Sequence, residues 1–135
     1  MIIEKGKRYV SYGEYGLILN EFVERLKDKE YDFVYGPPRG GAPIAAHMSH
    51  FLDVNFLECN YCFLKKENPN SYNRLLLVDD VFETGKTFRE LKYSFLPYFK
   101  EITMATLFHK PVNSLRPDIY VEEETDWIVF PWENK

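Results

Sequence analysis

Between Ser11 and Lys27 the apolar residues Tyr15, Ile18, Leu19, Phe22 and Leu26 recur at helical spacing, which predicts an amphipathic helix. Asp32 to Gly36 (Asp-Phe-Val-Tyr-Gly) reads as a short strand stopped by Pro37-Pro38. After the turn Arg39-Gly40-Gly41, a second helix is predicted over Ala42 to Leu52, with Ile44, Met48, Phe51 and Leu52 facing inward. Val54 to Phe63 is rich enough in Val, Phe and Tyr to form a strand, and Lys65 to Asn73 is a polar loop. Leu75-Leu76-Leu77-Val78 is a continuous apolar run, the pattern of a central strand buried on both faces, and it ends abruptly in Asp79-Asp80. Gly85 opens a helix carrying Phe88, Leu91 and Phe95 on one face and closed by Pro97. Ile102 to Phe108 is a further strand, and the tail from Ile119 to Pro131 has two short apolar stretches around Asp126-Trp127. Strands alternating with helices predict an α/β fold, a mainly parallel twisted sheet flanked by helices, as one domain over residues 1–135. Ligands of such sheets sit beyond the carboxyl ends of the strands, where Asp79 and Asp80 fall.

Composition narrows the class. With 135 residues, 45% of them hydrophobic, the chain can bury a real core. A formal charge of −4 argues against nucleic-acid or anionic-membrane partners. No apolar run approaches the roughly 20 residues of a membrane-spanning helix. Met1 to Lys5 lacks the apolar core and cleavage site of a signal peptide. Two cysteines make no disulfide framework. The expectation is a soluble, cytoplasmic protein.

The chemistry concentrates between Leu75 and Thr87. Two carboxylates at the end of a buried strand are costly unless something pairs with them. The loop Glu83-Thr84-Gly85-Lys86-Thr87 that follows lies at a helix start, where unpaired N–H groups and the positive dipole end favour phosphate. Gly85 lets the backbone approach an anion, and Thr84 and Thr87 add hydroxyl donors. The carboxylates can accept from a sugar's vicinal hydroxyls, so one unit suits a ribose 5-phosphate. A helix cap alone would need one carboxylate. A nucleotide-triphosphatase loop would need glycine at Asp80, and a carboxylate there contradicts that motif. His47-x-x-His50 with Cys59-x-x-Cys62 has the ligand types of structural zinc. The order is unusual and the strand pattern puts the two cysteines on opposite faces, so core thiols and helix-surface histidines are the preferred reading. Lys65-Lys66 reads as a solvated loop pair and Trp132 as a core or interface aromatic.

Leu76 to Thr87 (Leu-Leu-Val-Asp-Asp-Val-Phe-Glu-Thr-Gly-Lys-Thr) resembles the phosphoribosyl-pyrophosphate (PRPP) signature of type I phosphoribosyltransferases. Within that family the chain is similar to bacterial and archaeal xanthine/guanine-type purine enzymes: Tyr35 to Pro43 resembles the pyrophosphate loop, Ala105 to Pro111 the strand with a purine-reading lysine, and Asp126 to Glu133 the C-terminal base-binding segment. The resemblance implies transfer of a 5-phosphoribosyl group from PRPP to guanine, xanthine or hypoxanthine, giving a purine nucleoside monophosphate and pyrophosphate in purine salvage. It implies that Arg39 and Gly40 hold pyrophosphate, that Asp79 and Asp80 hold the ribose diol and Mg2+ (directly or through water), and that Thr84, Gly85, Lys86 and Thr87 hold the 5′-phosphate. Glu83 would be the general base, Lys110 would read the exocyclic oxygen, Trp127 would stack on the base, and the Ile128 backbone would meet its 2-substituent. Glu133 would be a further metal ligand. A homodimer or higher homo-oligomer is implied as well.

Three departures accompany the resemblance. Glu83 stands where such enzymes usually carry Asp, Pro37-Pro38 stiffens the entry to the pyrophosphate loop, and the hood between Tyr61 and Arg74 is short. These leave open a PRPP- or nucleotide-binding regulatory protein of the same fold, or a transferase for another base.

Overall fold

In a computed structural model, which describes residues 2–4, 6–58 and 71–134, the stripe on the first helix is buried. Helix α1 (Tyr12–Leu26) turns Tyr15, Ile18, Leu19, Phe22 and Leu26 inward. A capping box fixes its start: the Glu14 N–H donates to the Ser11 hydroxyl while the Ser11 N–H donates to the Glu14 carboxylate. Two otherwise orphaned donors are thereby satisfied.

The main sheet has five parallel strands in the order β4-β3-β5-β6-β7, formed by β3 (Phe33–Tyr35), β4 (Asn55–Phe56), β5 (Tyr72–Phe82), β6 (Phe99–His109) and β7 (Ile119–Glu123). Helices α2 (Gly41–Phe51) and α3 (Lys86–Phe95) complete the flanking layers. The apolar run of β5 is divided by strand alternation. Leu75 and Leu77 pack with Phe88, Phe95, Phe99 and Ile102, whereas Leu76 and Val78 pack with Ile18, Phe22, Ile44 and Met48. All four are fully excluded from solvent, each worth about 1.5–3 kcal/mol of transfer free energy.

A second sheet, β1-β2-β8, joins β1 (Ile2–Glu4) and β2 (Lys7–Tyr9) to β8 (Trp127–Val129). β1 and β2 form an antiparallel hairpin, and β2 runs parallel to β8 with Arg8 opposite Ile128. The hydrophobic pattern does not predict the hairpin, because three-residue strands are too short to show a period.

Several predicted elements change. β5 begins at Tyr72, so residues 72–74 belong to the strand and not to the polar loop or hood. It also continues through Asp79-Asp80 to Phe82, because β6 supplies pairing along its whole length, from Tyr72↔Phe99 to Phe82↔His109. Backbone pairing outweighs the polar side chains. Phe51 is 54% exposed instead of inward, since at the last residue of α2 the helix has cleared the core that holds Ile44 and Met48. Of the strand predicted over Val54 to Phe63, the described part is the two-residue edge β4. Cys59, Cys62, Lys65, Lys66 and the rest of the hood lie outside the described residues. Among the described residues, no helix is long and apolar enough to cross a membrane.

Candidate active site

The site forms where β5 outruns its neighbour. The last β3 pair is Tyr35↔Leu77, so residues 78–82 project past β3 while still paired to β6. The turn into α2 fills the vacated flank, and the Pro38–Arg39 peptide within it is cis. The fit requires glycine: a β-carbon on Gly41 would lie 2.7 Å from the Val78 carbonyl oxygen, and one on Gly40 would lie 2.4 Å from Asp80 Oδ2.

Because β5 continues as a strand, its acidic pair is split over the two sheet faces. Asp80 lies on the α2 side against Gly40. Asp79 lines a cleft of about 140 Å3 with Glu83, Thr84, Gly85, Lys86 and Thr87. Local bonds hold both carboxylates: the Asp80 N–H donates to Asp79 Oδ1 at 2.9 Å, and the Val81 N–H donates to Asp80 Oδ1 at 2.8 Å. Burial first, and then the charge of Asp80, push the Asp79 carboxyl up to about 8.

The loop 83–87 enters α3 through Gly85, which is left-handed at φ +77° and whose β-carbon would meet the Phe82 ring at 2.6 Å. No side chain caps the helix; the Lys86 N–H donates to Thr84 Oγ1 at 3.3 Å. The first turn of α3 contains no acidic residue, which keeps its positive end favourable to an anion.

An adjoining cleft of about 240 Å3 is lined by Asp80, Val81, Glu83, Lys110, Asp126, Trp127, Ile128, Phe130 and Glu133. The Lys110 N–H donates to the Phe82 carbonyl at 2.7 Å. Its ammonium stands 3.9 Å from Glu83 Oε1 and 5.8 Å from the Trp127 ring centroid. Trp127 is 61% exposed, whereas Ile128 is buried. On the other side a wider depression of about 740 Å3 is lined by Arg39, Gly40, Pro43, Trp132 and Glu133. Glu133 borders both, with Oε1 accepting from the Phe130 N–H at 3.1 Å. Each site residue implied by the resemblance therefore lines one of three adjoining clefts around the carboxyl end of β5, whereas His47 and His50 line none of them. Arg39 lies in a different cleft from Lys110, and Asp79 in a different cleft from Asp80.

Sequence reasoning missed the support behind these clefts. Tyr15 of α1 packs edge-on against Trp132, which stacks on Phe130. Burial and then Asp80 push its hydroxyl up to about 12. The periodicity registers Tyr15 only as a core position. His47 Nδ1 stands 3.5 Å from the Tyr15 hydroxyl. Among the described residues, no three His, Cys, Asp or Glu side chains converge on a metal position.

No family model matches the chain. The fold is similar to the crystal structure of purine phosphoribosyltransferase from Pyrococcus horikoshii, at 30% identity and a TM-score of 0.78, over 96% of this chain and 95% of that one. It is also similar to Helicobacter pylori xanthine-guanine-hypoxanthine phosphoribosyltransferase (18% identity, TM-score 0.72, 95% and 94% of the two chains). A third likeness is to hypoxanthine-guanine phosphoribosyltransferase from Schistosoma mansoni in complex with IMP (22%, 0.62, 84% and 66%). The latter two bear on the fold alone.

Proposed function

The chain belongs to the type I phosphoribosyltransferase family, and from that premise we propose that it transfers the 5-phosphoribosyl group of PRPP to a 6-oxopurine, releasing pyrophosphate and a purine nucleoside monophosphate for salvage. The observation that carries this reading is the cleft in which Lys110 stands between Glu83 and the Trp127 ring. It adjoins the cleft formed by the loop 83–87 and shares Val81 and Glu83 with that cleft. A planar base entering there meets an aromatic face, an ammonium donor for an exocyclic oxygen and a carboxylate for a ring proton.

Breaking the anomeric bond builds positive charge on the ribose ring and negative charge on the leaving group. Thr84, Gly85, Lys86 and Thr87 hold the 5′-phosphate, chiefly through N–H groups at the start of α3. Asp80 accepts from the ribose hydroxyls and its negative charge faces the developing cation, while Asp79 supports it from the phosphate side. Arg39 and the N–H groups of the Gly40 turn hold the pyrophosphate. Glu83 takes the proton from the purine nitrogen, and Lys110 holds the base by its 6-oxygen, a group adenine lacks. Asp80 and Glu133, which line the same cleft, are oxygen donors that would suit Mg2+ bound mainly through substrate oxygens and water, whereas Asp79 faces the neighbouring cleft with its carboxyl pushed up by burial; the ion would neutralise the leaving group. The protein acts on small molecules and in the cytoplasm, and two or more copies associate.

The test is an assay of pyrophosphate release from Mg-PRPP with guanine, xanthine, hypoxanthine and adenine. Release with the oxopurines and not with adenine is expected. PRPP binding without release for any purine would overturn the enzyme reading.

A further inference from the structure

The two walls of the base cleft belong to different sheets. Lys110 follows β6 of the main sheet, whereas Trp127 and Ile128 lie on β8 of the small one. Glu124 stands at the junction. Its N–H donates to the His109 carbonyl at 3.0 Å, one residue before Lys110. Its Oε2 accepts from the N–H groups of Thr125 and Asp126, at 3.0 and 3.3 Å, in the turn that leads to Trp127. Its Oε1 accepts from Arg8 Nη1 at 3.2 Å. On the far side of Arg8, the Trp127 N–H donates to the Gly6 carbonyl, and Arg8 pairs in register with Ile128.

Arg8 is buried, with its guanidinium 5.1 Å over the Phe108 ring. Glu122 meets the same nitrogen at 2.6 Å. One carboxylate already neutralises the cation, and a buried cation of this kind is costly without such a partner. The second carboxylate has separate work, since only Glu124 also grips the turn before Trp127. We propose that Glu124, held by Arg8, is a positioning residue of the base site that sets the angle between the Lys110 wall and the Trp127 wall. The proposal rests on the reading above, in which the base lies between those walls.

The test compares Glu124→Ala with Glu122→Ala, which also removes a partner of Arg8 but leaves the turn 125–126 gripped. Losing a charge-assisted hydrogen bond corresponds to about a tenfold effect. Glu124→Ala should therefore raise the KM for guanine about tenfold, with the KM for PRPP within about twofold. Glu124→Gln, which keeps an acceptor oxygen, should raise it about threefold, and it carries the test if the alanine variant fails to fold. Glu122→Ala should leave both constants within about twofold even where its Tm falls as far. In a Trp132→Phe background, acrylamide quenching of Trp127 should increase with Glu124→Ala and not with Glu122→Ala. Equal effects of the two variants on the guanine KM, or parallel rises for guanine and PRPP, would overturn the relay. If the wild type uses no purine, the functional reading fails, and the quenching comparison decides the relay by itself: unchanged quenching overturns it.

Discussion

Gly40→Ala separates the geometry of the sugar site from the stability of the fold. Gly40 has φ −63° and ψ −41°, a conformation alanine adopts freely, so the substitution tests distance and not backbone strain. The new β-carbon would lie 2.4 Å from Asp80 Oδ2, 2.7 Å from Cγ and 2.9 Å from Oδ1. Ordinary carbon–oxygen contact begins near 3.4 Å, so the carboxylate must retreat by about 1 Å. The retreat disrupts the 2.8 Å bond from the Val81 N–H, which costs about 1.5–3 kcal/mol for an ionised acceptor. Leaving the preferred rotamer adds about 0.5–1.5 kcal/mol. The lost freedom of glycine in the unfolded chain offsets about 0.4–1 kcal/mol. A net loss of about 1–4 kcal/mol follows, which an ordinary domain of this size survives. The diol loses its acceptor as well, and one charge-assisted bond at about 1.5–3 kcal/mol predicts PRPP binding about tenfold to a hundredfold weaker. Calorimetric titration of Mg-PRPP, with urea unfolding of the same samples, measures both quantities. A folded Gly40→Ala protein that binds PRPP within about twofold of wild type refutes the diol assignment of Asp80. The double variant with Asp80→Asn should be no weaker than the worse single variant, because both remove one interaction.

Four further outcomes follow from the same geometry. Gly85→Ala forces alanine into φ +77° and against the Phe82 ring, so it should lower stability by at least about 1–2 kcal/mol in urea unfolding and weaken PRPP binding. Asp79 is pushed up to about 8 in the fold, so the native state holds a proton that the unfolded chain releases near pH 4. Its contribution is therefore fully present below the unfolded value and is lost as pH rises to about 8; Asp79→Asn should raise Tm at pH 8 and change it little at pH 4, and the reverse order would refute the burial argument. Lys110→Ala should raise the KM for oxopurines about tenfold or more while the KM for PRPP stays within about twofold, and equal effects on both would contradict its role. Asp80, Glu83, Asp126 and Glu133 line the base cleft against one lysine, which disfavours an anionic base; kcat/KM for xanthine, the most acidic of the three oxopurines, should fall relative to guanine as pH rises through its ionisation.

What the chain reveals before folding follows from how local each feature is. The stripe of α1, the four-residue core of β5 and the apolar face of α3 are read within one element, and the structure buries them as expected except for Leu91, which is half-buried. The acidic pair and the phosphate loop are equally local, so residue types and spacing suffice to suggest a ribose phosphate. The split of Asp79 and Asp80 over two faces is not local, because it depends on β6 pairing with β5 as far as Phe82↔His109. Phe51 shares a helical face with Ile44 and is nonetheless exposed, since periodicity gives a direction but not where the core stops. The base half of the site is the least local part. Arg8 reaches Glu122 and Glu124 across 114 and 116 residues, and strands of three residues carry no period to announce them. On the proposed reading, the ribose-phosphate contacts are contained in one strand–helix unit, while the base contacts are assembled where two sheets meet. Substitutions in the β1–β2 hairpin should accordingly change the choice of base and leave the handling of PRPP intact.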